Sequence, residues 1–414
     1  MTGERSGAEN PGLARVEHPI THRPGRDGKT GEAAAKPQWR SFGGPASGRR
    51  SAPWRRNTVI DPRQFKGKST SLNANMNRRS VLRLTAAGAG LVVASRYFTA
   101  SVAAQVPPLE KQDTYTVGFA QTGSNNPWRL AETKSMKDEA DKRGYTLVQT
   151  DANEDTAKQI ADVDSLIAQG VDILIFPPRE SQALAPSVMK AKAAGIPVIL
   201  VDRDVDHSIA KPGEDYVAFI GSDFVDQGRR AAEWLAKATG GNAKIIELEG
   251  STGADPAIDR KKGFDDYLAG TFKGTPTPEG AFSGMEIIAS QTGNFVRDTG
   301  REVMQTLLQA HPEVTAVYAH NDEMAIGAIA AVEAAGKKPG KDIIIVSVDG
   351  TRDALQSIVD GKMLATVECN PKFGPKAFET LARYAKGEKI EPWVINTDRF
   401  FDKSNASQLI GDAY

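Results

Sequence analysis

From Tyr115 to the end of the chain, short β-branched runs alternate with longer amphipathic stretches, and this alternation leaves few folds open. TVGFA is followed by PWRLAETKSMKDEADKRG, YTLVQT by TAKQIADVDSLIAQG, DILIF by a stretch running through MKAKAAG, and then comes PVILV. Gly144, Gly170 and Gly195 fall where each helix should end in a left-handed turn. Strands alternating with helices of this length predict right-handed βαβ units in a parallel sheet. The cycle restarts after residue 220 with DFVDQGRRAAEWLAKA, KIIELEG, DRKKGFDDYLAG, MEIIASQ, AVYAHND and IIIVSVDG. Two such sets predict an α/β chain of two similar Rossmann-like lobes, each with its own parallel sheet, and a ligand cleft between them.

Four apolar runs lead into polar clusters: VGFAQ into GSNNPWR, PVILV into DRD, AVYA into HND, and IIIVS into VDG. Ligands of open α/β sheets collect just beyond the carboxyl ends of buried parallel strands. The clusters offer Ser124, Asn125, Asn126, Trp128 and Arg129, then Asp202 and Arg203, then Asn321 and Asp322, then Asp349. These are hydrogen-bonding groups and one aromatic face, with no nucleophile paired to a base. The pattern therefore points to a polar small molecule that is held rather than cleaved.

Each cluster also has a structural reading. Pro127 suits a first helical position, with Ser124, Asn125 and Asn126 available as caps. Capping does not account for Trp128 and Arg129 at the exposed mouth of a strand, where an indole can stack on a sugar ring while its neighbours bond the hydroxyls. In DRD, an Asp that only accepts beside an Arg that only donates can grip two adjacent hydroxyls. On this reading Arg203→Ala costs about 2 to 5 kcal/mol of binding, because Asp202 loses a buried partner. Helix capping competes for Asn321 and Asp322, and a tight turn for Asp349 with Gly350.

The formal charge of zero hides two oppositely charged pieces. Residues 1–104 hold 18 Lys or Arg against 6 Asp or Glu, a net of +12, and the remainder holds 34 against 46, a net of −12. The acidic part argues against nucleic acid or an anionic membrane as partner. The single cysteine, Cys369, excludes an intramolecular disulfide and a cysteine metal cage, and the five scattered histidines make a metal site improbable.

Residues 1–75 are rich in Gly, Pro, Ser and Arg without apolar periodicity, which predicts disorder. GRDGKT at 25–30 lacks both the upstream glycine and the strand that a phosphate-binding loop needs. NRRSVLRL, an apolar stretch reaching residue 94, and SVAAQ make an export signal over 76–104, with Arg78 and Arg79 resembling a twin-arginine signal. Cleavage is expected near Ala103 or Ala104, Met76 is the expected start, and eleven apolar residues are too short for a permanent anchor.

With NNPW, VDRD, AHNDEMAIGA and VDG in this order and spacing, some 300 residues from Thr114 resemble the periplasmic ribose-type sugar-binding proteins of bacterial ABC importers. GFAQTGSNNPWRLAET, GADPAIDRKKGF and VYAHNDEMAIGAI are most similar to the galactofuranose-binding branch. The resemblance implies a type I periplasmic binding protein fold, with crossovers near Gly221, Asn370 and Ile395. The N-terminal lobe would be 113–221 plus 370–395, and the C-terminal lobe 222–369 plus 396–414. It implies ligand contacts at Asn126, Trp128, Asp202 and Arg203 from one lobe and Arg260, Phe295, Asn321 and Asp349 from the other. Arg260 as a surface charge and Phe295 as core remain open. Arg129 replaces a second aromatic of the ribose binders, which favours a sugar with more exocyclic hydroxyls. The hinge contact could fall on Glu368, Cys369 or Asn370.

The resulting expectation is a monomeric, cofactor-free periplasmic receptor that captures a monosaccharide and delivers it to an ABC permease, with neither nucleic acid nor stable membrane insertion. A chemotaxis sensor and a sugar-responsive transcriptional regulator are the alternatives, but the regulator would need a helix-turn-helix where the export signal stands. A two-carboxylate glycosidase is disfavoured because an adjacent Arg keeps the proton off Asp202.

Overall fold

The computed structural model describes residues 105–274 and 282–414. The expected disordered tract 1–75, the signal 76–104 and its cleavage site lie outside the described residues.

The first lobe is built from β1 (Thr116–Gln121), α1 (Pro127–Arg143), β2 (Thr146–Asp151), α2 (Thr156–Gln169), β3 (Ile173–Phe176), α3 (Ser181–Ala193), β4 (Val198–Val201) and β5 (Ala218–Gly221). The second follows with α4 (Phe224–Thr239), β6 (Asn242–Glu249), α5 (Asp255–Leu268), β7 (Gly284–Thr292), α6 (Arg297–Ala310), β8 (Ala316–Ala319), α7 (Asp322–Ala334), β9 (Ile344–Asp349), α8 (Arg352–Val359) and β10 (Ala365–Glu368). The chain then returns through α9 (Gly374–Ala385) and β11 (Trp393–Ile395) to the first lobe, and finishes in the second with β12 (Phe400–Asp402) and the short α10 (Ala406–Leu409).

The sheets run β2-β1-β3-β4-β5-β11 and β7-β6-β8-β9-β10-β12, the same order twice. All pairs are parallel except β10 with β12. Such sheets are covered on both faces, which explains why β3 (ILIF) and β4 (VILV) are wholly apolar and buried instead of alternating. In each sheet the first and third strands of the lobe diverge to opposite neighbours, and the crevice above that switch point is where α/β folds hold ligands.

Local signals fix the helix ends. The Asn126 side-chain oxygen accepts from the Arg129 N–H at 2.9 Å, Pro127 opens α1, and Gly144 closes it at φ 70°. Helices α4 and α5 meet backbone to backbone, because a Cβ on Gly228 would strike the Arg260 carbonyl oxygen and one on Gly263 the Val225 carbonyl oxygen. That close approach carries Arg260 into the interior.

The chain passes between the sheets three times, after β5, after β10 and after β11, and the three passages are tied together. Ser222 Oγ donates to the Asp398 carboxylate at 3.0 Å and lies 3.8 Å from Cys369 Sγ, while Asn396 Nδ2 donates to the Asn370 carbonyl at 3.0 Å. No helix among the described residues is long and apolar enough to cross a membrane.

Candidate ligand-binding site

Asp202 and Asp349 mark the centre of the site. β4 and β9 hold the same position in their sheets, Asp202 directly follows β4, and Asp349 is the last residue of β9. Both residues are buried and both have positive φ, 61° and 138°, which a non-glycine residue adopts only at a cost of about 1 to 3 kcal/mol. Paired strain of this kind turns each carboxylate off its strand and into the space between the lobes.

That space is a cavity enclosing about 470 Å³ between its lining atoms, counting the solvent at its mouth. The structure brings ten of the eleven sequence-derived residues to its wall: Asn125, Asn126, Trp128, Arg129, Asp202, Arg203, Arg260, Phe295, Asn321 and Asp349. Ser124 is not among them, because it is exposed and donates to the Asp151 carboxylate at 2.6 Å. The lobes touch at the rim, where the Ser181 N–H donates to the Gly253 carbonyl at 2.9 Å and the Asp204 N–H to the Asp255 carboxylate at 3.0 Å.

The sequence expectations for Trp128 and Arg203 need correction. Trp128 does not stand exposed at a strand mouth. It is buried, its Nε1–H donates to the Cys369 carbonyl at 2.7 Å, and Arg129 stacks 4.7 Å from its ring centre. Nor is Arg203 the nearest cation to Asp202. Arg129 Nη1 stands 2.7 Å from Asp202 Oδ2 and 2.8 Å from Glu132, whereas Arg203 Nε is 3.6 Å from the same Asp202 oxygen. Burial works against the Arg129 charge, but Asp202 and Glu132 outweigh it and hold its pKa above the ordinary guanidinium range. Burial first, and then the Arg129 charge, pull Arg203 down to about 10.

The alignment of these charges leaves hydrogen-bonding capacity unused. Despite the close approach of Arg129, Asp202 Oδ2 has no hydrogen-bond partner, and neither does Arg203 Nε, although both atoms are buried. A buried donor without an aligned acceptor, and a carboxylate oxygen met only by a misaligned cation, keep hydrogen-bonding capacity that a ligand or water ordinarily takes up. Arg203 is otherwise held by donating from Nη1 to the Arg179 carbonyl at 3.0 Å, with its guanidinium 5.5 Å from the Phe295 ring centre.

In the second lobe Arg260 is buried rather than a surface charge. It donates to Gln227 Oε1 at 2.9 Å and to the His320 carbonyl at 2.6 Å, while its third nitrogen lies 3.8 Å from Asp349. Burial holds the Asp349 carboxyl well above the usual range, and Arg260 offsets only part of that. Phe295 is both wall and core, for it lines the cavity at φ 61° and belongs to the second lobe's buried apolar cluster, which includes Ala254, Ala257 and Met324. Asn321 caps α7 through Met324 N–H at 3.0 Å and donates to the Phe295 carbonyl at 3.1 Å. Capping is therefore real at both Asn126 and Asn321, after β1 in the first lobe and after β8 in the second.

Asp322, for which helix capping is the competing reading, is instead a buried staple in the first turn of α7. Its carboxylate accepts from Ser347 and Thr366 hydroxyls and from both the N–H and hydroxyl of Thr351, at 2.5 to 2.9 Å. Burial nevertheless pushes its pKa up to about 6.

Sequence reasoning missed Glu154, Pro256 and Asn294 on the wall. Glu154 and Asn294 follow β2 and β7, so the rule that found the other clusters applied to DANED and TGNF as well. Of the three hinge candidates, Cys369 lines the cavity, Glu368 is held by Arg399 in a two-oxygen pairing at 2.6 to 3.0 Å, and the Asn370 side chain turns to the Lys372 N–H. Burial pushes the Cys369 thiol up, away from a reactive thiolate. Behind the wall, the Tyr414 hydroxyl donates to the carbonyls of Asp349 at 2.6 Å and Cys369 at 3.0 Å. Among the described residues no cluster of His, Cys, Asp and Glu could hold a metal.

Two α/β lobes of matching strand order around a polar cleft define a solute-binding protein, and residues 117–389 match the periplasmic binding protein domain family, to which the chain belongs. The chain is 41% identical over 275 residues to the galactofuranose-binding protein YtfQ of Escherichia coli (strain K12), covering 66% of this chain and 82% of that one. It is 36% identical over 281 residues to the ribose import binding protein RbsB of Bacillus subtilis (strain 168), covering 68% and 85%. Among solved structures, it is similar to the periplasmic binding protein component of the arabinose ABC transporter from Shewanella sp. ANA-3, bound to α- and β-L-arabinofuranose. That match has a TM-score of 0.66 and 40% identity, covering 72% of this chain and 95% of the other.

Proposed function

We propose that this protein is the periplasmic receptor of an ABC importer, which captures a monosaccharide in its furanose form between the lobes and hands it to the permease. The observation that carries the reading is the pair Asp202 Oδ2 and Arg203 Nε, 3.6 Å apart on the cavity wall, neither with an aligned hydrogen bond although Arg129 stands 2.7 Å from the same Asp202 oxygen. A vicinal diol supplies one donor and one acceptor at about that spacing. Asp349 with Arg260 repeats an acid–guanidinium pair on the opposite lobe, so a ring held between them is gripped at both edges. Trp128 and Phe295 supply apolar faces, and Arg129 supplies a cation on the side where exocyclic hydroxyls would project. Neither half-site binds well alone, since the groups that bond the two edges of the ring belong to different lobes.

In this reading the sugar favours the closed arrangement, and the closed shape is what the permease receives. Residues 76–104 act as a twin-arginine export signal cleaved near Ala103 or Ala104, and the mature chain works as a monomer. A thermal-shift screen over galactose, arabinose, ribose, fructose and myo-inositol, followed by calorimetry on the hits, tests the ligand class. Sugars that populate furanose rings should raise the melting temperature most; no rise with any of them overturns the reading. N-terminal sequencing of exported protein tests the signal, and a peptide from residues 1–75 in the mature pool overturns it.

A further inference from the structure

We propose that Glu132 is the positioning residue that decides which sugars the site accepts, by holding the Arg129 guanidinium away from full engagement with Asp202. The inference rests on the ligand site proposed above and adds a residue that does not itself line the cavity.

Glu132 lies one helical turn beyond Arg129 on α1 and is fully buried. One of its oxygens accepts from Arg129 Nη1 at 2.8 Å and from Gln121 Nε2 at 3.0 Å, while the other has no partner. Gln121 is locked in turn by Thr133 Oγ1 at 3.0 Å and by the Thr122 N–H at 2.8 Å, so the base of this arrangement cannot turn. The same Arg129 nitrogen therefore stands between two carboxylates, aligned as a hydrogen bond toward Glu132 and only as a charge contact toward Asp202. Because the aligned bond goes backward, Asp202 Oδ2 keeps its lone pair for a ligand hydroxyl. With Glu132 neutralised, the guanidinium would turn further onto Asp202 and away from the side of the ring where exocyclic hydroxyls project.

The charged groups facing Glu132 are Arg129 on its own helix and Asp202 beyond β4; Arg203 and Glu154 complete the set around Arg129. Burial, reinforced by Asp202, pushes the Glu132 carboxyl up to about 7 against the pull of Arg129. The aligned bond is thus charge-assisted at pH 8 and weakened at pH 6.

D-galactose and L-arabinose make a matched pair of probes, since they share configuration at C2 to C4 and differ by one hydroxymethyl group. Calorimetry with both sugars from pH 6 to pH 8, on the wild-type chain and on E132Q, tests the inference. In E132Q the galactose affinity should fall tenfold or more and the arabinose affinity less than threefold. Wild-type selectivity should decline from pH 8 to pH 6, with no such decline in E132Q. A purely structural role would lower both affinities alike and leave the pH profile unchanged, which overturns the inference. If E132Q does not fold, a wild-type selectivity that stays flat across this range overturns it as well. Failure of the wild type to bind either sugar would instead overturn the ligand reading itself, a result distinguishable from the others.

Discussion

Asp202 and Asp349 occupy matching positions at the ends of β4 and β9, and both bend the backbone to positive φ. Each is also buried, and the Asp349 carboxyl is raised by that burial. The fold thus accepts conformational and desolvation costs at both points, as sites shaped for a ligand commonly do. Replacing Asp349 with glycine should remove both costs. The expected outcome for D349G is a ligand-free protein more stable by about 1 to 3 kcal/mol in urea unfolding, with sugar binding lost. A variant that loses stability and binding together would show that Asp349 serves the fold.

Arg129 and Arg203 should separate under alanine substitution. Without Arg129, Glu132 and Asp202 face each other with no cation between them, so R129A should lower both melting temperature and affinity, at about 3 to 5 kcal/mol of stability. R203A leaves Asp202 with its nearer cation and removes mainly a donor to the ligand. Its expected cost is about 2 kcal/mol of binding with little change in stability. Calorimetry and thermal unfolding of the two variants side by side decide the assignment, and equal stability losses would contradict it.

The acid limb of stability should depend on Glu247. Burial works against its charge, but His320 at 3.0 Å and Lys261 at 2.5 Å outweigh that and lower its pKa from 4.5 to about 2. A depressed carboxylate contributes stability above its unfolded value and loses it as pH falls toward the folded one, here between about 4.5 and 2. E247Q should therefore be weaker than wild type by about 2 to 3 kcal/mol at pH 7, and the difference should shrink steadily through that window. Urea midpoints at pH 7, 4 and 3 provide the measurement; a constant difference would assign the loss to packing.

Cys369 gives a probe of occupancy. It is buried, its thiol is pushed up, and it lines the cavity. Aromatic disulfide reagents should react slowly with the native chain, and saturating sugar should slow them further by at least tenfold. Unchanged labelling with sugar bound would place the ligand away from this wall.

Much of the architecture was readable because each lobe repeats a strong local pattern. The glycines at 144, 170 and 195 do adopt φ of 70°, 68° and 80°, and the apolar runs are the buried strands. The edge strands β11 and β12 escaped notice because three residues with exposed positions, such as Trp393 and Ile395, carry no periodicity. Strand ends announced Asp202, Arg203, Asn321 and Asp349, since polar residues after an apolar run need a reason to be there. What the order of residues cannot convey is which charges meet. Arg129 and Asp202 are far apart in sequence, and only the turn at φ 61° brings one against the other. Glu132 carried no signal at all, being one acid among several on a helix whose partner set depends on three other elements.

The cross-linked triple passage between the sheets has a mechanical consequence. A lone tether would let the lobes twist and slide, whereas three adjoining ones, joined through Ser222, Cys369, Asn370, Asn396 and Asp398, stiffen against torsion and leave bending as the soft coordinate. A cleft that opens on such a flexure returns along the same arc. Asp202 and Asp349 then meet again in one register without a full rigid-body search, so the entropy lost on each closing event is confined to a single angle.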